Sequence, residues 1–153
     1  MSFVRKIILS ADSTCDLDES LKERYEVHTY PLHVILGEKQ YKDGVDITAD
    51  DIYKAYEEHH ILPKTAAVNV KEYIDYFSPW VEQGYKVIHF NIASSLSSSY
   101  QNCCIAAETL GNVYPIDSQN LSTGTALLVL EAAEMIKKGM DAETIVEEVK
   151  KMV

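Results

Sequence analysis

The sequence predicts a single α/β domain over residues 1–153, with three layers (α/β/α) and a mainly parallel sheet. Two observations predict this fold class. Short apolar segments typical of buried strands alternate with longer segments of helical periodicity, and strands joined through helices pair in parallel with the helices on both faces. The chain also has the length of one domain, and its 46% hydrophobic and 25% charged content is that of an ordinary globular protein.

The strands are identified by their apolar and β-branched residues. Residues 4–9, 86–92 and 113–116 are predicted as buried strands. Residues 27–36 are also rich in β-forming side chains, but Pro31 cannot donate to a ladder, so we predict two short strands there. Gly37 and the two residues after it suit a tight turn.

The helices are identified by apolar periodicity and by their capping residues. Asp16 is a candidate cap for the first, Thr48 and Asp51 have the pattern of a capping box for the second, and Asn69 and Asp141 precede two others. Pro79 predicts a kink or a break in the third helix. The predicted helices span residues 17–25, 48–59, 70–83, 97–110, 123–138 and 142–152.

Charge and composition exclude several classes of protein. The formal net charge of −10 argues against binding to nucleic acid and against stable association with an anionic membrane. No apolar run approaches the roughly 20 residues that span a bilayer, and the first apolar segment predicts a core strand, not a signal peptide. We therefore expect a cytoplasmic protein. Cys15, Cys103 and Cys104 form no Cys-x-x-Cys pattern, so we expect reduced, buried cysteines and no metal site.

Hydroxyl side chains follow three of the predicted strands, where ligands bind in open parallel sheets. Helix N-termini and hydroxyl groups there can bind an anion, although each such segment taken alone is more commonly a helix cap. Thr65 adds a fourth hydroxyl, predicted on a loop before a helix. The segments that we expect to converge on one edge are residues 12–14, 94–99, and 117–118 with 122–124.

Catalysis is the main alternative at this edge. Ser97 lies at a strand-to-helix junction, where a nucleophile would lie in a hydrolase, but the G-x-S-x-G pattern is missing. None of the five histidines follows a late strand as a catalytic base would, and His89 is predicted to be a hydrogen-bonded core residue. Since a hydroxyl without a base is a weak nucleophile and a good hydrogen-bond donor, the pattern favours binding. No glycine-rich nucleotide-binding motif is present.

Several of these segments, in their order and spacing, resemble a bacterial family, the DegV proteins. The resemblance covers essentially the whole chain. It implies an N-terminal α/β domain that binds a long-chain fatty acid such as palmitate, without catalysis or a cofactor, under a C-terminal lid domain. The matching segments are ADSTCD (11–16), Pro31-Leu32, YKDGVDIT (41–48), LSSSYQ (96–101), Asp117-Ser118 and LLVLEAAEMIKK (127–138).

The resemblance also implies residue roles. Thr65 and Ser97, 32 residues apart, match the two residues that hold the carboxylate in the family pattern. Ser98 stands where the family has glycine, and Ala66-Ala67 follow the threonine where serine and proline are usual. The other hydroxyls that we expect to support the site from the sheet edge are Ser13, Thr14, Ser98, Ser99 and Ser118.

Three further expectations concern partners. Family members are nearly twice as long, so the C-terminal lid domain is absent from residues 1–153, and self-association through the uncovered face is expected. Some members present their fatty acid to an ATP-dependent kinase, so a fatty-acid kinase subunit is an implied partner. Two alternatives stay open: a hydrolase or an acyl or phosphoryl transferase that uses Ser97, and a truncated structural fragment without a ligand.

Overall fold

The computed structural model describes residues 7–153, which contain seven strands in two sheets. The larger sheet has four strands in the order β2-β1-β6-β7, and every neighbouring pair is parallel. The predicted mainly parallel sheet is confirmed; residues 4–6 of the predicted first strand lie outside the described residues. The strands are β1 Ile7–Asp12, β2 Val27–Tyr30, β3 His33–Leu36, β4 Lys39–Lys42, β5 Lys64–Ala66, β6 Lys86–Asn91 and β7 Val113–Asp117.

Six α-helices connect these strands, and most of them lie within two residues of the predicted bounds. Across residues 7–153, none has the length and apolar content needed to span a bilayer. A single 3-10 turn, Ser13–Cys15, follows β1. The helices are α1 Glu19–Tyr25, α2 Ala49–His59, α3 Val70–Glu82, α4 Ser99–Leu110, α5 Thr123–Lys137 and α6 Ala142–Lys150.

The helix starts follow from side-chain caps. Thr48 and Asn69 both complete capping boxes, which satisfy backbone N–H groups that a helix start leaves unpaired, as predicted for Thr48. The predicted cap of α1 is wrong, because Asp18 and not Asp16 accepts the backbone N–H of Leu21, at 2.8 Å.

Two other helix predictions need correction. The helix predicted from residue 97 begins two residues later, at Ser99, so Ser97 belongs to the loop before α4. The break predicted at Pro79 does not occur, because α3 is continuous from Val70 to Glu82.

Helices cover both faces of the larger sheet, which gives the predicted three layers. Side chains alternate along each strand, so Ile88 and Phe90 of β6 pack against α5 and α6. Val87 faces the other way and joins a second core with Phe77 of α3 and Cys103 of α4. All five of these side chains are buried.

The smaller sheet is antiparallel, in the order β4-β3-β5. It contains Thr65, which lies opposite Val34 in strand β5 and not on a loop as predicted. The sheet is tied to α3 by His33 of β3, whose Nε2 lies 2.6 Å from Oε1 of Glu72. Helix α2 connects β4 to β5 of this sheet, and none of its residues is buried; Tyr53 is 66% exposed.

Candidate functional site

The loops after β1, β6 and β7 meet at the carboxyl edge of the larger sheet. The backbone N–H of Ser94 donates to Oδ1 of Asp117 at 3.1 Å, which joins the loops after β6 and β7. The N–H of Ser122 donates to the carbonyl of Thr14 at 2.8 Å, which joins the third loop. We call residues 12–15, 92–99 and 117–125 the rim. These three hydroxyl-bearing segments therefore converge as predicted.

Ser97 lies in the rim directly before α4 and is partly exposed. Its Oγ accepts a hydrogen bond from the backbone N–H of Ser99 at 3.1 Å and lies 2.9 Å from Oγ of Ser99. Ser99 is fully buried, whereas Ser98 is exposed and its side chain makes no capping bond at the start of α4. Of the three consecutive serines, Ser97 combines exposure with a fixed position.

Thr65 is exposed in β5, and its strand is connected to the rim through Val68. The backbone N–H of Val68 donates to Oγ of Ser99 at 3.2 Å, and Nδ2 of Asn102 donates to the Val68 carbonyl at 2.9 Å. Three residues of chain span at most about 10 Å, so Thr65 lies within that distance of Val68, which is bonded to the first turn of α4. We call these two bonds the Val68 clamp.

The supporting hydroxyls mainly hold the rim together. Oγ of Ser13 donates to Oδ2 of Asp43 at 2.7 Å, and Oγ of Ser118 donates to the carbonyl of Asn91 at 2.7 Å. Both side chains are therefore engaged within the protein. The hydroxyl oxygen of Thr14 is buried and, within residues 7–153, has no hydrogen-bond partner. Ser13 thus connects the loop after β1 to Asp43, and Ser118 connects the loop after β7 to β6.

A buried polar network lies beneath the rim, between the larger sheet and α3. The carboxyl group of Asp12 accepts hydrogen bonds from Oη of Tyr73 at 2.7 Å and from the backbone N–H of Ile92 at 3.0 Å. Nε2 of His89 lies 2.9 Å from the same carboxyl group, and Nδ2 of Asn91 donates to it at 3.3 Å. Since Ile92 opens the loop after β6, Asp12 fixes two rim loops relative to each other.

His89 is a hydrogen-bonded core residue, as predicted. Its second ring nitrogen, Nδ1, lies 2.9 Å from Oγ of Ser10, which in turn lies 2.8 Å from Oη of Tyr76. Burial raises the pKa of the Tyr73 and Tyr76 hydroxyls well above the ordinary value, which keeps both groups protonated.

Sequence reasoning did not find this network, although a signal was present. Buried parallel strands are usually almost continuously apolar. Here Ser10 and Asp12 alternate with apolar residues in β1, and His89 and Asn91 do the same in β6. Polar residues at every second position of two neighbouring strands indicate one buried polar layer on one face of the sheet.

Three clefts of the described surface have neither Thr65 nor Ser97 in their linings. The larger cleft, of about 520 Å³, adjoins a second of about 480 Å³ beside α1 and β2. A smaller cleft of about 270 Å³ is lined by Tyr100, Asp117 and Lys150 among others, beside the rim. The larger cleft is lined by Ser13, Cys15, Asp16, Leu17, Glu19, Lys22, Thr29, Pro31, Asp43, Gly44 and Val45.

Exposed leucines lie close in sequence to the hydroxyls or in a neighbouring rim loop. Leu96, next to Ser97, is 61% exposed, and Leu121 of the neighbouring rim loop is 47% exposed. Leu62, three residues before Thr65, is also strongly exposed. Exposed leucines beside hydrogen-bond donors are typical of a surface that contacts an amphipathic ligand or another protein segment.

Gly124, at the start of α5, lies directly against the side chain of Asn120. A Cβ atom at this position would lie 2.2 Å from Oδ1 of Asn120. The carbonyl of Asn120 accepts the backbone N–H of Ala93 at 3.0 Å, which is a further link between two rim loops. A side chain at position 124 would therefore displace the Asn120 side chain, whose Oδ1 accepts the backbone N–H of Leu121 at 3.2 Å.

These features define a three-layer α/β domain with a hydroxyl-bearing rim at the carboxyl ends of a parallel sheet. The chain belongs to the DegV family: a family model described as the uncharacterised DegV proteins matches residues 6–153. The resemblance seen in the sequence motifs is thereby confirmed.

Relatives and solved structures agree with this assignment. A DegV domain-containing protein from Clostridium perfringens is 36% identical over 146 residues, which is 94% of this chain and 52% of the relative. A fatty-acid-binding DegV family protein from Thermus thermophilus has a TM-score of 0.86 and 30% identity, over 95% of this chain and 52% of that one. A stearic-acid-binding protein from Eubacterium ventriosum has a TM-score of 0.85 and 32% identity, with the same coverage. The chain thus spans about half the length of these proteins.

Proposed function

We propose that this chain binds the carboxylate of a long-chain fatty acid, such as palmitate, at the rim, and that Thr65 and Ser97 donate hydrogen bonds to it. The observation that carries the proposal is the Val68 clamp, which fixes the segment after Thr65 against the helix start that follows Ser97. Both side chains reach solvent, and hydroxyl groups donate strongly to ionised carboxylates. The fatty-acid-binding descriptions of two similar structures support the choice of ligand.

The exposed leucines of the site form an apolar surface that the acyl chain can contact. Leu96 and Leu121 lie in rim loops that are hydrogen-bonded to one another, next to Ser97. Leu62 lies near Thr65. With the carboxylate between the two hydroxyls, the attached acyl chain can extend across these apolar side chains and cover them.

The strength of binding depends mainly on the acyl chain. Burying about 15 methylenes at about 0.8 kcal/mol each contributes up to roughly 12 kcal/mol, whereas each hydrogen bond to the charged head group contributes about 1.5–3 kcal/mol. This chain offers one side of an open surface, so much of the larger contribution is lost. We expect residues 1–153 alone to bind fatty acid weakly.

The contacts of Ser97 favour binding over catalysis. A nucleophilic serine is hydrogen-bonded to a general base, and the hydrogen-bond partners of the Ser97 hydroxyl are the hydroxyl and the amide of Ser99. His89 has both ring nitrogens engaged inside the buried network. We therefore propose that the chain holds its ligand without transforming it.

The proposal also includes a partner protein that receives the fatty acid. A fatty acid held by its head group at an open rim is accessible to a second protein, and we propose presentation of the carboxylate to a fatty-acid kinase in the cytoplasm. A lid domain or a second copy of the chain would cover the exposed leucines.

Isotope-labelled protein titrated with carboxyl-labelled palmitate tests the proposal by nuclear magnetic resonance, which detects weak binding. We expect the labelled carboxyl carbon and the amides of the rim to shift together. Thr65→Val and Ser97→Ala should each weaken binding by about tenfold or more, because each removes a hydrogen bond to a charged group.

Thr109→Val is the matched control, since Thr109 is exposed at the far end of α4 and bonds only to the carbonyl of Ile105. Equal binding by all four proteins would contradict the assignment of the two hydroxyls. Shifts confined to the cleft beside Thr29 would place the ligand elsewhere. Hydrolysis of a p-nitrophenyl ester that disappears in Ser97→Ala would establish the catalytic alternative.

A further inference from the structure

We propose that the outer edge of β2 binds an extended, basic segment of a partner protein, which adds to the larger sheet as a further strand. This site goes beyond fatty-acid binding and does not depend on it, because neither Thr65 nor Ser97 lines the surface beside β2. The two functions can therefore be tested separately.

Strand β2 lies at one edge of the larger sheet. The order β2-β1-β6-β7 gives β2 one neighbour, β1, and leaves its other side without a strand in the described part of the chain. Backbone groups on such a side are a template for pairing with another strand. No proline interrupts Val27–Tyr30, so the outward N–H groups of β2 can donate to an added strand.

A groove follows this edge. The cleft of about 480 Å³ is lined by Val27, His28 and Thr29 in succession, and it shares Glu19, Lys22 and Thr29 with the cleft of about 520 Å³. Because neighbouring residues of a strand point to opposite faces, a cleft that contacts three of them in succession runs along the edge of the strand. We call the two clefts together the β2 groove.

The β2 groove is acidic. Its lining contains five carboxylates and one lysine, Lys22. Among the described residues, Glu19 alone of the five carboxylates has an ion-pair partner, which is Lys22. The other carboxylates can therefore attract the cationic side chains of a bound segment. The five residues are Asp16, Glu19, Glu23, Glu26 and Asp43.

The opposite face of the same edge is aromatic. The rings of His28 and Trp80 have centroids 4.8 Å apart, and those of Tyr30 and Tyr76 are 4.7 Å apart. Trp80 is half-buried, so part of its ring reaches solvent. Side chains of an added strand point to the two faces in turn, towards the carboxylates on the side of α1 and towards the rings on the side of α3. This arrangement favours a segment in which basic residues alternate with apolar ones.

The charges favour a basic partner over a second copy of the chain. Pairing of two β2 edges would bring two sets of groove carboxylates together, and like charges at close range are destabilising. The formal net charge of −10 also opposes the approach of two copies. A basic segment is attracted by the same charges, and its main chain supplies hydrogen bonds to the edge of β2.

A capped hexapeptide of alternating lysine and valine is a suitable probe, titrated into isotope-labelled protein at low salt. We expect the amide signals of Val27–Tyr30 to shift. Glu23→Lys combined with Glu26→Lys should weaken binding by about tenfold or more, because two attractive charges become repulsive. Glu108→Lys combined with Glu147→Lys is the matched control. It changes the net charge equally at exposed positions of α4 and α6 and should leave the affinity nearly unchanged.

A second peptide separates strand pairing from charge attraction. Methylation of every backbone nitrogen keeps the side chains and the charge but removes the backbone donors, so the shifts in β2 should disappear. Equal binding of the two peptides would overturn the proposal, as would equal losses of affinity in the two double variants. Shifts in β2 that depend on protein concentration without peptide would identify a second copy as the occupant and would also overturn it.

Discussion

The two sheets of the molecule differ in how firmly they are held. The larger sheet is covered by helices on both faces, and most residues of its central strands β1 and β6 are buried. The smaller sheet has three short strands, two of which are connected by α2, a helix in which no residue is buried. Stability in proteins is local, and segments with few buried contacts open at lower free energy. The larger sheet is therefore expected to be rigid and the smaller one adaptable.

The difference matters because the two proposed carboxylate-binding residues belong to different sheets. Ser97 belongs to a loop of the rigid sheet, whereas Thr65 belongs to the edge strand β5 of the smaller one. The Val68 clamp and the contact of His33 with Glu72 connect the two regions. The head-group site thus combines a fixed donor with one whose position depends on these connections.

Phe77→Ala should have the largest effect. Phe77 is fully buried in the core between the larger sheet and α3, and removal of a buried aromatic ring costs about 3–5 kcal/mol of unfolding free energy. Urea denaturation measures the change. Tyr53→Ala on α2 is the control and should change the free energy by less than about 0.5 kcal/mol, because Tyr53 is largely exposed. Similar losses in both variants would contradict the contrast.

Asp12→Ala should cause the second-largest loss of unfolding free energy. It leaves the hydroxyl of Tyr73 and the N–H of Ile92 without an acceptor in a buried position, at a cost of roughly 2–3 kcal/mol. The same denaturation measurement applies, and amide shifts should spread along β6 and its loop. A loss no greater than that of Asp18→Ala, which removes an exposed helix cap, would argue against a structural role for the network.

Glu72→Ala should destabilise the smaller sheet. It removes the contact with His33 and one half of the capping box of α3, which we expect to cost about 1–2 kcal/mol. Hydrogen exchange should accelerate in β3, β4 and β5 more than in β1 and β6. Asp75→Ala, an exposed change one turn along the same helix, is the control. Uniform acceleration would show that the two sheets open as one unit.

The smallest effect concerns α2 and pH. Hydrogen bonds from the Thr48 hydroxyl and backbone lower the pKa of Asp51 below its ordinary 3.8. A carboxyl group whose pKa is lowered on folding stabilises the folded helix above its unfolded pKa and loses that effect as pH falls through the lowered value. Exchange protection of α2 should therefore decline below about pH 4. Thr48→Ala should remove most of this dependence, and a persisting decline would point to other carboxyl groups.

Much of the fold could be predicted from local signals. The strands and helices of the larger sheet follow apolar periodicity, and Asp141 and Gly111 mark helix ends through interactions within a few residues. The pairing of β3 with β5 could not be predicted in this way. Residues 34 and 65 are far apart in sequence, and a three-residue strand such as β5 carries too little pattern to specify its partner.

The site was predictable in part for the same reason. The placement of hydroxyl segments after parallel strands follows from topology, and the rim loops do converge. The Val68 clamp depends on Asn102, whose side chain meets the 65–68 segment only in the folded protein. Thr65 was expected on a loop after Pro63 and before a helix, yet a short edge strand forms directly after the proline.

The glycine at position 124 is explained by a neighbouring side chain and not by its own backbone. Its backbone does not adopt the left-handed region, so the usual reason for a glycine does not apply. The residue is small because the Asn120 side chain occupies the volume that a Cβ would need. Positions 120 and 124 should therefore vary together: a library randomised at both should recover alanine at 124 only alongside a smaller side chain at 120.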